Sequence, residues 1–451
     1  MIGLVRVVDW HAFRRSEPPK DYLELAQRAI AFADGLPLAL TILGSHLRGI
    51  DIPRWQVILD DYKGEPYTHI ERILQKSYDA LDHRAKEYFL DIACFFNGGY
   101  ENYVPEKGGY ENYVPEIVPK KFIEEFVEKA MITIEGSRIL MHDLLANLGK
   151  DIVHKESPND PGQRSRLWFY EDVKQVLMES TGTRNIKGIM VKLPKPAKIT
   201  LNPECFRNMV NLQIFINRNA SLCGHINYLP NTLRWIDWDG YQLQSLPLNF
   251  QGNNLVKFNM PRSHIRQLDG FNFKQLPNLT YMNLSGCQFL EKIPDLSGIL
   301  NIKYLNLNYC TRLVEVDGSV GFLDKLVELD LGGCFNLTRF ATTLRLNSLE
   351  NLSLHGCKSL ESFPEIEVQM ESLRSLDISK SGVRELPLSI AYLTGLESLN
   401  LHGCFNLIGL ELRLFSCWST LHYLDLSGSN FVTLPECIRK FVRLDELHLR
   451  D

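Results

Sequence analysis

Leu279-Thr280-Tyr281-Met282-Asn283-Leu284-Ser285-Gly286-Cys287 is answered further along the chain by Leu349-Glu350-Asn351-Leu352-Ser353-Leu354-His355-Gly356-Cys357. Both read L-x-x-L-x-L and both close on Gly-Cys. The same frame recurs with first positions at Leu212, Leu233, Leu255, Leu279, Ile302, Leu326, Leu349, Leu373, Leu396, Leu421 and Leu444, at intervals of 21 to 25 residues. An L-x-L triplet is a short strand whose alternate side chains are opposed, so the leucines stack inward on the next turn. The x residues then stand on a concave face. Burying one leucine contributes about 1.5–3 kcal/mol, which offsets the ordering entropy only when neighbouring turns cover it.

This period and pattern define a leucine-rich repeat array, a quasi-one-dimensional solenoid that depends on its end caps. Cys287, Cys310, Cys334, Cys357 and Cys404 all fall three residues after the last aliphatic of the frame, and Ser381 and Ser429 take the same slot in two other turns. A slot that accepts serine is structural, not thiol chemistry. The 451 residues contain ten cysteines with no C-x-x-C pair, which favours a reducing compartment over a disulfide scaffold. A net charge of −5 and a pI near 6.2 exclude a chain built mainly to grip phosphate backbones. No apolar run reaches a membrane span, and Arg6 and Asp9 interrupt any signal-peptide core. Asn-x-Ser/Thr sites at Asn219, Asn278, Asn283, Asn336 and Asn351 read as chance.

Ahead of the array the sequence is helical. Apolar spacing predicts helices from Asp21 to Ala33, from Leu38 onward behind Pro37, and over about 70–81, 84–96, 119–130 and 142–155. Ile132 to Leu140 reads as a hairpin between two of them, which suggests a winged helix. Ser157-Pro158-Asn159-Asp160-Pro161-Gly162 is the expected domain boundary. Gly98 to Glu106 recurs as Gly108 to Glu116, a tandem duplication expected in a surface loop, either neutral or an adapted binding loop.

Four stretches, in order, resemble plant intracellular disease-resistance proteins of the nucleotide-binding (NB-ARC), leucine-rich-repeat type. Gly35-Leu36-Pro37-Leu38-Ala39-Leu40 is similar to that family's G-L-P-L-A-L motif, and Met141-His142-Asp143 to its M-H-D motif. Leu90-Asp91-Ile92-Ala93-Cys94-Phe95-Phe96 and Arg164-Ser165-Arg166-Leu167-Trp168 resemble motifs of the subclass with an N-terminal Toll/interleukin-receptor domain. The resemblance covers nearly the whole chain. It implies an α/β repeat protein: residues 1–64 as the end of an NB-ARC helical subdomain, 65–156 as a winged-helix-like subdomain, 157–205 as a linker, and 206–451 as repeats with an incomplete C-terminal cap. It also implies ADP/ATP as cofactors of a switch. Gly35, Leu36, Pro37 and His142 would bind the nucleotide, with Pro37 packed on adenine and ribose and His142 near the β-phosphate of ADP, and Met141 and Asp143 would support the switch. On the residues alone, His142 and Asp143 equally begin a helix, with Asp143 near its cap.

Departures from the family pattern bear on that expectation. The phosphate-cradling G-x-x-x-x-G-K-[ST] and the acidic Walker-B strand do not occur in these residues. Trp10-His11-Ala12-Phe13 resembles a motif well inside the nucleotide-binding module, so the chain is expected to be truncated at both ends, to hold nucleotide weakly, and to carry no catalysis of its own. A His-Asp pair without further ligands does not make a metal site or a hydrolase.

The outward strand positions form a ladder whose candidates for partner contact are Tyr281, Tyr304, Glu328, Asp330, Glu350, Arg374, Asp377, Glu397, Tyr423 and Asp425. Acids outnumber bases toward the C-terminal turns, which favours a basic partner or a solvated face. The resemblance implies a pathogen effector or guarded host protein as partner, intramolecular contacts with the NB-ARC module, no direct nucleic-acid binding, and a cytoplasmic or nuclear location. The alternative is a repeat scaffold or decoy that binds no nucleotide.

Overall fold

The computed structural model describes residues 11–13, 19–32, 37–61, 69–97, 117–135, 138–268, 273, 276–408, 418–429, 441 and 443–450. The chain divides into two compact units, residues 1–167 and 168–451. The tandem duplication at 98–116 lies outside the described residues.

The first unit is helical. Helices α1 (Leu23–Phe32), α2 (Pro37–His46) and α3 (Ile52–Asp61) gather around Trp55, which is fully buried. Its indole N–H donates to the Leu47 carbonyl at 2.8 Å, and its ring stacks on Phe13 and meets Tyr22 edge-on. Helix α3 is absent from the expectations above, because Pro53 reads as a breaker. It sits in the first turn, where the missing N–H costs nothing, and Asp51 accepts the Arg54 N–H at 3.1 Å. Helix α4 (His69–Asp79) packs on α2.

The expected winged helix follows. Asp82 caps α5 (His83–Asp91) by accepting the Ala85 N–H at 2.7 Å. The helix read as continuous to residue 96 instead opens into a π turn at Ile92–Phe96, all five residues buried. Then come α6 (Lys120–Glu128), the antiparallel pair β1 (Thr133–Glu135) and β2 (Arg138–Leu140), and α7 (Asp143–Glu156). Gly149 lets α7 close on the π turn: a Cβ there would stand 2.5 Å from that of Ala93.

The second unit opens with α8 (Tyr170–Glu179) and continues as parallel strands. These are β3 (Gly188–Val191), β4 (Ile214–Asn217), β5 (Trp235–Trp238), β6 (Lys257–Asn259), β7 (Tyr281–Asn283) and β8 (Tyr304–Asn306). After them come β9 (Glu328–Asp330), β10 (Asn351–Ser353), β11 (Ser375–Asp377), β12 (Ser398–Asn400), β13 (Tyr423–Asp425) and β14 (Glu446–His448). Each pairs with its sequence neighbours in unbroken register, so that Leu329, Leu352, Leu376, Leu399 and Leu424 form one buried row.

The segment 157–205, expected as a linker, therefore holds a helix and a strand that carries the repeat frame. Ile186-Lys187-Gly188-Ile189-Met190-Val191 satisfies the repeat frame with isoleucine and valine in place of leucine, and Ile186, Ile189 and Val191 are buried. At the other end Leu447 and Leu449 are 39% and 47% exposed.

The cysteine slot has a physical cause. Each thiol donates to a buried carbonyl of the preceding turn: Cys287 to Met260 at 3.3 Å, Cys310 to Leu284 at 3.1 Å, Cys334 to Leu307 at 3.2 Å. Cys357 and Cys404 repeat this on Leu331 and Ile378, and the Ser429 hydroxyl does so on Leu401. Burial pushes the Cys287 and Cys357 thiols up to about 12, so neither is a nucleophile near neutral pH. Replacing Cys357 by alanine removes one of two donors to the Leu331 carbonyl, which keeps the Cys334 N–H at 3.2 Å, and should cost about 0.5–1.5 kcal/mol in urea denaturation, whereas serine, which keeps a donor, should cost less. Iodoacetamide mapping at pH 8 should leave both thiols unmodified in folded protein.

Candidate nucleotide-sensing corner and partner-binding face

The corner is built where β2 runs into α7. Met141 is buried, and its N–H donates to the Asn97 side chain at 2.9 Å, across 44 residues of sequence. That bond ties the residue before His142 to the end of the π turn. His142 is the N-cap of α7: its backbone is extended, and its Nδ1 accepts the Leu144 N–H at 3.2 Å. An Nδ1 used as acceptor puts the proton of the neutral ring on Nε2. His142 is exposed, so this N–H donor stands free of the helix cap at the positive end of the α7 dipole. Asp143, also exposed, is the first residue of the helix. The two residues do begin a helix, with the histidine rather than the aspartate at the cap.

Gly35 and Leu36 lie outside the described residues. Pro37 is the first residue of α2, and its side chain lies outside them too.

A second element of the corner came from resemblance alone and not from any reading of its chemistry. Arg166 is 1% exposed and forms ion pairs with Asp91 at 2.8 Å and Glu87 at 3.0 Å. It also donates to the Glu87 carbonyl and the Ser165 hydroxyl. Burial alone would lower its pKa; Asp91 and Glu87 outweigh this and raise it. Ser165 in turn binds both oxygens of Glu156 at the end of α7, and Arg164 donates to the carbonyls of Ser157 and Pro158. The Arg164-Ser165-Arg166 run thus fastens the exit of the unit to α5 and α7 at once. Asp91 is the last residue of α5, so Arg166 holds the base of the π turn whose far end, Asn97, positions Met141.

In the second unit the ten face candidates fall into three columns. Glu350, Arg374 and Glu397 stand exposed where the strands begin, and Arg374 pairs with Glu397 at 3.5 Å. Tyr281, Tyr304, Glu328 and Tyr423 occupy the first strand position, aligned by register. Tyr281 departs from its expected place on the open face: it is 3% exposed, because the Lys257 ammonium lies between its ring (4.9 Å) and that of Trp235 (4.4 Å). The N-terminal end of the concave face is filled by this stack.

Asp330, Asp377 and Asp425 line the third column, and each has structural work to do. Their Oδ1 atoms accept the N–H groups of Gly332, Ser379 and Ser427 two residues on, and Asn306 and Asn400 do the same for Asn308 and His402. These bonds turn the chain at the strand end. Burial would raise the Asp425 carboxyl, but hydrogen bonds from the Ser427 N–H and side chain, the nearby His402 and a hydrogen bond from the Tyr423 hydroxyl together hold it below its ordinary range. No group of His, Cys, Asp and Glu among the described residues could hold a metal ion, and no described helix is long and apolar enough to cross a membrane.

A winged-helix unit and a leucine-rich-repeat array follow one another in this chain, and the comparisons name both. Residues 82–157 match the profile of the Roq1-like disease-resistance winged-helix domain, and residues 278–299 match a leucine-rich repeat. The chain is 33% identical to TMV resistance protein N of Nicotiana glutinosa, over 99% of its own length and 38% of that protein. It is 33% identical to disease resistance protein RPS6 of Arabidopsis thaliana, over 97% of this chain and 39% of that one. With disease resistance protein RUN1 of Vitis rotundifolia it shares 32% over 70% of this chain and 26% of the other. The chain belongs to the plant nucleotide-binding, leucine-rich-repeat disease-resistance proteins, and it spans under two fifths of the length of these relatives.

Arg166→Met would leave the largely buried Asp91 carboxylate and the half-buried Glu87 carboxylate without their cation. It should destabilise the first unit by about 3–5 kcal/mol in denaturant titration, and Arg166→Lys, which cannot reproduce the forked contact, should recover only part of this.

Proposed function

We propose that this chain is the sensing portion of a plant immune receptor. The winged-helix unit reads the phosphate state of ADP or ATP through His142, and the repeat array engages a pathogen effector or a guarded host protein and restrains the switch. It works in the cytoplasm or nucleus. The observation that carries the nucleotide part is the His142 cap, which spends Nδ1 on the helix and leaves Nε2–H to donate to an anion at a helix N-terminus.

This donor set suits a phosphate oxygen. Asp143 opposes an anion at the same corner, so its carboxylate must turn outward when phosphate is near. Pro37 and the two residues before it would supply the apolar wall for adenine. When bound, ADP supplies the diphosphate charge; this chain's own part is to hold His142 in place through Asn97 and Met141. Movement of the winged helix relative to the phosphates then alters affinity, the differential binding a switch requires. The absence of a G-x-x-x-x-G-K-[ST] loop from these 451 residues supports a second reading, a repeat scaffold or decoy without nucleotide.

Hydrogen exchange separates the two. ADP at about 5 mM should slow exchange at Leu144 and its neighbours at the start of α7, and AMP should not. His142→Asp keeps a good cap but removes the N–H donor and adds like charge, and it should abolish the response. A flat response to ADP in the native chain, or an equal one in the variant, would leave the scaffold reading.

A further inference from the structure

The turns that follow the strands carry a chemistry opposite to that of the concave face. No Asp or Glu occurs in residues 285–290, 308–314, 332–339, 355–360, 379–384 or 402–408. In their place stand exposed aromatic rings: Phe289 and Phe335 at 39% and 38%, Tyr309 at 54% and Phe405 at 65%. Exposed cations accompany them. The Arg312 guanidinium lies over the Phe289 ring at 5.4 Å, and the Lys358 ammonium over Phe335 at 5.3 Å. Neither of these, nor Lys380, has a carboxylate partner among the described residues.

These side chains form one shelf. A Cβ at Gly333, where φ is +70°, would stand 2.6 Å from the Tyr309 ring, so that ring lies flat on the glycine of the next turn. The position of a Cβ at Gly356 is 3.5 Å from Phe335, at Gly403 3.1 Å from the Lys380 chain, and at Gly428 3.7 Å from Phe405. Successive turns are also bonded to each other: the N–H groups of Tyr309, Gly333, Gly356, Lys380 and Gly403 each donate to the carbonyl of the neighbouring turn at 2.6–2.7 Å. The shelf is therefore bonded from turn to turn and apolar at its rings; Arg339 and Arg384 at its border pair with Glu315 and Glu361, while Arg312 and Lys358 lie over ring faces without a carboxylate partner.

On the reading of the array as a protein-binding surface, we propose that this shelf docks an acidic amphipathic helix of a partner protein. Parallel strands lie about 4.8 Å apart, close to the helical pitch of about 5.4 Å. A helix laid along the shelf thus offers about one apolar side chain to each turn, at i, i+3, i+4 and i+7, while its flanking carboxylates meet Arg312, Lys358 and Lys380. The six turns hold five Lys and Arg, two of them (Arg339 and Arg384) paired with Glu315 and Glu361, and in a chain of pI near 6.2 this is too few for a nucleic-acid backbone, which needs a dense basic footprint.

The test uses the full chain and a fluorescein-labelled helical peptide of about 21 residues, with Leu and Phe on one face and Glu on both flanks. A peptide of identical composition but scrambled order and a single-stranded oligo-dT of equal charge are the controls. The helical peptide should bind about tenfold tighter than the scramble. Phe405→Ser, Phe335→Ser and Lys358→Glu should each weaken it about five- to tenfold, with the unfolding midpoints of Phe405→Ser and Lys358→Glu unchanged because those two side chains are exposed; Phe335→Ser is read at a temperature where its own unfolding curve shows it folded. Glu350→Lys, on the concave face, should leave it as tight or tighter. Equal binding of the scramble, tighter binding of oligo-dT, no saturable binding, or an equal loss with Glu350→Lys would each overturn the proposal. The exchange response at Leu144 is read on a different unit, so the failure of one reading is separable from that of the other.

Discussion

A strand of three residues cannot bury its own leucines. In the repeat unit every buried row exists because the next turn lies over it, and the register that stacks Leu329 on Leu352 and Leu376 leaves no freedom to slip. The rest of each turn serves that requirement. The chain must reverse directly after the strand, so an Asp or Asn closes a bond onto its own backbone two residues ahead, and a glycine in the same turn takes a left-handed conformation. It must then re-enter the core, where a small buried donor, cysteine or serine, adds a second hydrogen bond to a carbonyl of the turn below. Dryness, turn geometry and hydrogen-bond satisfaction are one constraint met three ways in each repeat.

The first unit answers a different problem. Its helices bury their apolar faces in the ordinary manner, but its exit is fastened by a buried arginine that binds two acids from α5 while the adjoining serine binds the end of α7. Such a pair contributes little net stability compared with apolar packing of the same volume, because desolvation offsets most of the attraction. What it supplies is geometric definition: the guanidinium is satisfied in one arrangement only, and the π turn between Asp91 and Asn97 inherits that arrangement.

The repeats were legible because their period is carried by leucine, which has few other reasons to recur every 21 to 25 residues. The first turn was missed because Ile186, Ile189 and Val191 carry the same frame without leucine. Most helices followed from apolar spacing; α3 did not, since a proline in a first turn looks the same in sequence as a proline that ends a helix. The π turn has no sequence mark, being a matter of how five buried residues meet Gly149. Of the candidate residues, His142 could be placed at a helix start, but the choice of histidine over aspartate as the cap is decided by one hydrogen bond. The burial of Tyr281 depends on Lys257, a full turn away, and a reading by columns rather than by strands would have found it. The shelf was open to such a reading too, since the absence of acids from six consecutive turns is a property of sequence alone.

The hydrogen bonds at the strand ends divide the concave surface into positions that can drift and positions that cannot. An Asp or Asn that closes the turn is held in place by the backbone it serves, and losing it loosens the strand end whatever the partner is. The neighbouring column carries no such duty: tyrosine, glutamate, asparagine and serine alternate there through Tyr304, Glu328, Asn351, Ser375 and Ser398 without disturbing the register. A lineage under pressure to change what it binds can rewrite that column one residue at a time and keep the scaffold. The turn-closing column can exchange Asp for Asn, and so charge for none, but little else, and novelty in recognition falls to the positions beside it that carry no bond to the backbone.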